Sequence, residues 1–451
     1  TISWGRLIGA STALAALELA ENSDRPILVL ASDPRHADQL EAEIRFFSDD
    51  KLPILHFVEW ETLPYDSFSP HQDIIAQRLQ VLSVLPTQKN GIIIASAPIL
   101  LQRLPPIDYI AARSFSLNLG QILKRQVFID QLITSGYLRV SQVNEHGEFA
   151  VRGSLLDVFP MGSYSPLRID FFDDEIESLR LFDADSQLSG QEIEHIRILP
   201  AREVPLDQVS IRNFRDRYRE RFEGQPSRSR VYQEVSNSIA HGGIEYYLPL
   251  FFESTTSLLD YLPTNCILYV PYDISQILEI AWQGIRERYQ LYSLDPERPV
   301  LLPEESFLQP HKIREHFDAY SRIAYSSQSL RESDSTFNLP ARLPPAIRIE
   351  ARYEDPTRAI IDFLEKFDGR VLFTADSPGR LEIIYEMLIA RNLDISRVEG
   401  WQRFLNTDQD IGVTVSPVQN GVLLPEAAIA IITEQQLFGI KSQQRNRKHR
   451  S

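Results

Sequence analysis

Apolar residues recur along the chain in two distinct rhythms, and the change between them divides it. Over residues 1–113 helical spacing alternates with short apolar runs. "STALAALELAE" and "RHADQLEAEIRFFSD" have their apolar residues on one helical face, while "PILVLASD", "LPILHFV" and "GIIIASAPILL" are compact apolar runs. Buried strands alternating with helices predict a parallel sheet covered on both faces. From 114 to 198 the pattern shortens to two-residue alternation broken by turn residues, which predicts a small α+β insert. Helical spacing returns in "SIRNFRDRYRERFEG", with Ser210 as a candidate N-cap, Gly224 at the end, and Ile211, Phe214, Tyr218 and Phe222 as the apolar stripe. Its arginines, Arg212, Arg215 and Arg219, are interrupted by Asp216 and Glu220, as on a solvated face. Residues 326–345, "SSQSLRESDSTFNLPARLPP", are rich in Ser and Pro without periodicity and read as a linker. A second, small α/β domain follows over 346–440, and 441–451 is a basic tail.

One strand breaks the expected partition. In "LRIDFFD", Leu167, Ile169 and Phe171 share one face, and Arg168, Asp170 and Phe172 the other. The first set is core. The second places a large aromatic among charged neighbours, where a solvated face would carry polar groups. A plain explanation packs Phe172 under a local loop and pairs Arg168 with Asp170 or Glu177. On register alone, truncating Arg168 or Phe172 should spare the fold, whereas truncating Phe171 should damage it.

Composition removes several functional classes. The chain has 451 residues, 43% hydrophobic and 24% charged, enough for two to four domains. A formal net charge of −16 opposes a protein that grips phosphate backbones over much of its surface, so weak duplex binding at most is expected. One cysteine, Cys266, excludes an internal disulfide framework and multi-cysteine metal sites, and suggests a cytoplasmic setting. No apolar run is long enough to span a bilayer. The opening "TISWGRLIGAS" has no initiator methionine, as in a piece of a longer protein.

Candidate chemistry is sparse. "GRLIGAST" has Gly5 and Gly9 placed as in a phosphate-binding loop, but no lysine precedes Lys51 to charge-pair with the β- and γ-phosphates. It reads as an inactive relic or a structural glycine turn, and neither binds nor hydrolyses ATP. The nine histidines lack ligand spacing, no hydrolase or dinucleotide motif occurs, and Asp173–Asp174 reads as a hairpin turn. No catalytic residue, cofactor site or metal site is expected.

The stretches "WETLPYDSFSPHQDIIAQRLQVL", "VNEHGEFAVRGSLLDVFPMGS", "LRIDFFDDEIESLRLFDADSQ" and "GIEYYLPLFF" closely resemble the amino-terminal region of bacterial transcription-repair coupling factors, and 152–183 is similar to the excision-repair protein UvrB. The resemblance implies a multidomain α/β chain. Residues 1–113 and 199–325 would form a split, degenerate P-loop NTPase-like domain of UvrB type, 114–198 the UvrA-binding insert, and 346–440 a separate α/β domain. The P-loop lysine position falls near Thr12, and the aromatic hairpin with which UvrB clamps DNA is missing. Carried over residue by residue, the UvrA contacts fall on Arg152, Arg168 and Phe172. The implied role is non-catalytic UvrA recruitment in transcription-coupled nucleotide excision repair. RNA polymerase and DNA would be reached only through carboxy-terminal domains that lie beyond this sequence, motor included. The competing class is a UvrB-like nucleotide-dependent helicase or a DNA damage-binding protein.

Overall fold

The computed structural model describes residues 1–49, 52–223, 226–349 and 355–439. The basic tail and Gly224 lie outside the described residues.

The apolar runs of the first segment become the centre of a seven-stranded, all-parallel sheet. Its order is Thr336–Asn338, Ile2–Gly5, Ser321–Tyr325, Ile267–Pro271, Ile27–Ala31, Ile92–Ser96, Ile54–Phe57. Strand alternation sorts these residues between two cores. Leu28, Leu30, Ile93, Leu268 and Val270 face one, and Ile27, Val29, Ile92, Ile94 and Tyr269 the other. Helices Ser11–Glu21 and Pro34–Phe47 cover the second face; the latter is capped by Asp33, whose carboxylate accepts from the His36 amide, with Pro34 opening the helix.

The chain leaves this sheet after Arg113, builds the insert, and returns. Strands Phe115–Asn118 and His195–Ile198 pair antiparallel, so both ends of the insert leave and re-enter the base side by side. Beyond this neck lies a six-stranded sheet ordered Ser189–Glu192, Glu175–Phe182, Leu167–Phe172, Leu155–Val158, Glu148–Arg152, Leu138–Arg139. Its inner face (Phe149, Leu156, Val158, Leu167, Ile169 and Phe171) joins the core of the base. A buried ion pair fastens the junction. Arg78 on helix Gln72–Val84 is fully buried, donates to Glu203 just past the neck at 2.6 Å and to the Val58 carbonyl at 2.7 Å, and lies over the rings of Phe57 and Trp60.

Helix Gln208–Arg221 buries Ile211, Phe214 and Tyr218 and leaves Arg212, Arg215 and Arg219 exposed. Its cap is Asp207, which accepts from the amides of Val209 and Ser210; Ser210 is inside the first turn, with its hydroxyl bonded to Asp207. Both residue types cap well, and the earlier carboxylate takes the position. The stretch 326–345 is not a free tether. Thr336–Asn338 pairs with Ile2–Gly5 and forms the edge of the seven-stranded sheet, and Ala341 is buried in the core. An edge strand of a parallel sheet needs only its backbone for this pairing, which is why no side-chain periodicity announces it. The carboxy-terminal domain has a five-stranded sheet ordered Ser396–Arg397, Ile411–Val415, Arg370–Ala375, Ile429–Thr433, Val422–Leu424, antiparallel only at its last pair. No helix among the described residues is long and apolar enough to cross a membrane.

Candidate functional site

Two places could carry function: the loop after the first strand and the outer face of the insert sheet. In the loop, Arg6 and Gly9 both have positive φ, 57° and 59°, so the backbone bends as a phosphate cradle does. The hydroxyls that would face a metal or phosphate turn inward. Ser11 Oγ donates to the Ile8 carbonyl at 2.7 Å and Thr12 Oγ1 to the Leu7 carbonyl at 3.4 Å. The Ala10 amide, at the mouth of the cradle, donates to the Asn420 carbonyl of the carboxy-terminal domain at 3.1 Å. A Cβ at Gly9 would lie 2.8 Å from that oxygen and closer still to the Gly421 carbonyl. The cradle is therefore occupied by protein. Among the described residues no group of three or more His, Cys, Asp or Glu could hold a metal ion, and burial pushes the Cys266 thiol up to about 12, which leaves it unreactive.

The insert's outer face is built by strand register. Residues directly opposite each other in an antiparallel pair point to the same side. Ala150, Asp157, Arg168 and Arg180 form one rung, Arg152, Leu155, Asp170 and Ser178 the next, and Phe172, Glu175 and Ile122 the last. A bulge at Glu177 keeps Ser178 and Glu175 on this side. The first rung is covered except at Arg180, which is exposed. Val143, Ala150, Phe159 and Phe182 make a small core beneath the loops at 140–147 and 183–188. The last rung is open: Phe172 is 67% exposed and Ile122 81% exposed. The hairpin turn beside them is Asp173–Asp174, with Asp173 at φ 55°.

The three residues singled out from sequence do not behave alike. Phe172 has no loop over it. Arg152 is exposed, with Nη2 donating to the Ser141 carbonyl at 3.0 Å. Arg168 is not an outward, unengaged group. Its Nε and Nη2 donate to the two oxygens of Asp157 at 2.8 and 3.0 Å, its Nη1 to the Gln187 carbonyl at 3.3 Å and to Ser189 Oγ at 3.1 Å, and its guanidinium sits 4.6 Å over the Phe182 ring. The bidentate bond to Asp157 raises the guanidinium pKa further. Asp157 is buried, and it is the residue directly opposite Arg168 in the neighbouring strand, whereas Asp170 and Glu177 are not its partners. The expectation that truncating Arg168 spares the fold is thus corrected: removing it would strand a buried carboxylate. Sequence reading also missed Ile122. A lone isoleucine in "GQILKRQ" carries no signal until its bridge to Glu175 places it beside Phe172.

Comparison with known proteins gives this geometry a context. Residues 115–204 match the model of the UvrB interaction domain, and residues 363–437 that of the MFD D3 domain. The chain is similar to the transcription-repair-coupling factor of Escherichia coli (strain K12), 36% identical over 447 residues, 99% of this chain and 39% of that protein. It is 37% identical over 449 residues to that of Haemophilus influenzae, with the same coverage, and 23% identical over 476 residues to that of Bacillus subtilis. The chain thus spans 39% of the length of these relatives.

Proposed function

We propose, from the premise that this chain is homologous to the amino-terminal region of the transcription-repair-coupling factors, that it is their UvrA-recruiting module, without catalysis of its own and working in the cytoplasm. The observation that carries the reading is the open rung of the insert: an exposed Phe172 beside Ile122, with Arg152 one rung away, inside the segment that matches the UvrB interaction domain. Aromatic and arginine side chains on a preformed surface are the groups that anchor protein interfaces. Arg168 serves this surface as a positioning residue, holding strand Leu167–Phe172 against its neighbours through Asp157. In the longer protein the module would bring excision repair to a stalled RNA polymerase. A UvrB-like nucleotide-dependent activity is disfavoured by a cradle that lacks lysine and already holds the Asn420 carbonyl.

The test is a titration of purified UvrA against the chain, with thermal melts of every variant alongside. Phe172→Ala should weaken binding by about 2 kcal/mol or more and melt as the parent does. Arg152→Ala should act in the same direction. Full-strength binding by a normally melting Phe172→Ala chain would refute the reading.

A further inference from the structure

We infer that the phosphate-type cradle of the split domain has become a peptide-binding site whose permanent occupant is the segment 417–421 of the same chain, so that the carboxy-terminal domain and the split domain fold as one body.

The first ground is an incomplete layer. Alternation divides the carboxy-terminal sheet cleanly. Val371, Phe373, Val413, Ala430 and Ile432 pack with Ile384 and Leu388 of that domain's own helix Pro378–Ile389. Leu372, Val422, Ile429 and Ile431 point the other way. A largely parallel sheet needs both faces covered. Among the described residues, only the short helix Gly400–Leu405, with Trp401 and Phe404, covers the second face from within the domain. The rest is supplied by the split domain: these residues share one core with Leu17, Leu40, Ile44 and Phe47 of helices Ser11–Glu21 and Pro34–Phe47. Trp401 meets Phe47 edge-on at 5.2 Å.

The second ground is how the occupant is held. Towards the split domain, Asn420 accepts from the Ala10 amide and Gln39 Nε2 donates to the Pro417 carbonyl at 3.1 Å; outside the segment, Gln402 Nε2 joins the same two domains by donating to the Phe47 carbonyl at 3.0 Å. From behind, Thr433 Oγ1 donates to the Gln419 carbonyl at 3.1 Å, and the amide of Val418 donates to Ser416 Oγ at 3.0 Å. Gly421 is wedged against Gln436 and the Ile431 carbonyl, with no room for a Cβ. A second strap runs beside it, where Arg342 and Leu423 exchange backbone hydrogen bonds at 3.0 and 2.8 Å. A carbonyl oxygen, carrying partial negative charge, fills the position an amide nest offers to a phosphate oxygen. Any nucleotide would have to evict a domain.

The experiment compares Gly9→Ala with Gly153→Ala in the full chain, by calorimetry and hydrogen exchange. Both glycines have φ near 60°, at 59° and 62°, so backbone strain is matched. Only at Gly9 would the new methyl meet the Asn420 and Gly421 carbonyls, since nothing lies within 4 Å of a Cβ at Gly153. The parent and Gly153→Ala should each melt in one transition. Gly9→Ala should melt in two, with amides of 415–424 exchanging on the order of tenfold faster or more. Should Gly9→Ala not fold, Trp401→Ala opens the same interface from the other domain and should deprotect residues 5–14 and 34–47. Two transitions in the parent, Gly9→Ala behaving as Gly153→Ala, Trp401→Ala leaving 5–14 protected, or protection of 5–14 by magnesium ATP would each overturn the inference.

Discussion

The cradle and the insert's outer face have been finished in opposite ways. At the cradle the hydroxyls of Ser11 and Thr12 and the Ala10 amide are all taken up by the chain itself, and the mouth is filled by a loop from another domain. On the insert, the two arginines are also settled internally, Arg168 by Asp157 and Arg152 by the Ser141 carbonyl, yet Phe172 and Ile122 are left uncovered. The difference shows that exposure here is not loose construction. A face whose arginines are already fixed presents its exposed apolar groups in place, and a binding partner would lose little entropy in ordering them. The same satisfaction of polar groups with the apolar surface covered yields a closed joint instead.

The contrast can be broken most severely inside strand Leu167–Phe172. Phe171→Ala should cost about 3–5 kcal/mol of stability, because that ring is buried in the core shared with the base, while Phe172→Ala should stay within about 0.5 kcal/mol. Equal losses in a denaturant titration would mean the two faces are misassigned. Next in size, Arg168→Ala should cost about 2–3 kcal/mol, since it leaves Asp157 buried without its cation while Arg168 itself keeps some solvent contact. Arg168→Lys should recover only part of this, because a lysine cannot donate to both carboxylate oxygens in the fork geometry. A neutral melt for Arg168→Ala would return that residue to the proposed UvrA-contacting set.

The smallest effect probes the closed side. Glu43 lies under the docked loop, where its neighbours are the Gln39 side chain, which donates at 2.6 Å, and the Gln419 amide. Burial raises its carboxyl above the ordinary value of 4.5. A raised carboxyl is neutral in both states below its unfolded pKa and imposes no penalty there. As pH climbs through the raised folded value, ionisation is resisted by the fold and stability falls. Glu43→Gln should therefore flatten the decline in melting temperature as pH rises above the ordinary carboxylate range. Parallel pH profiles for parent and variant would remove Glu43 from the joint's energetics.

Much of this is legible in the sequence, and the exceptions share a cause. Helix Ser11–Glu21 and strand Ile27–Ala31 follow from local spacing, and the opposite fates of Phe171 and Phe172 follow from alternation within one strand. What escaped reading depends on pairing between distant segments. The Arg168–Asp157 bond needs the register of two strands, Ile122 needs a bridge to Glu175, and the filled cradle joins Ala10 to Asn420 across most of the chain. Residues 326–345 looked like a tether because an edge strand that uses only backbone bonds leaves no side-chain rhythm.

The paired neck has a mechanical meaning. A module hung from a single strand can swivel about it, whereas one hung from two strands laddered from Phe115↔Ile198 to Asn118↔His195 cannot twist without breaking rungs. A pull on the tip of the insert divides between both legs and reaches the base at Arg78–Glu203, where a buried charge pair resists slippage. Whatever seizes Phe172 thus grips a stiff lever, and torque applied there is delivered to the parallel sheet.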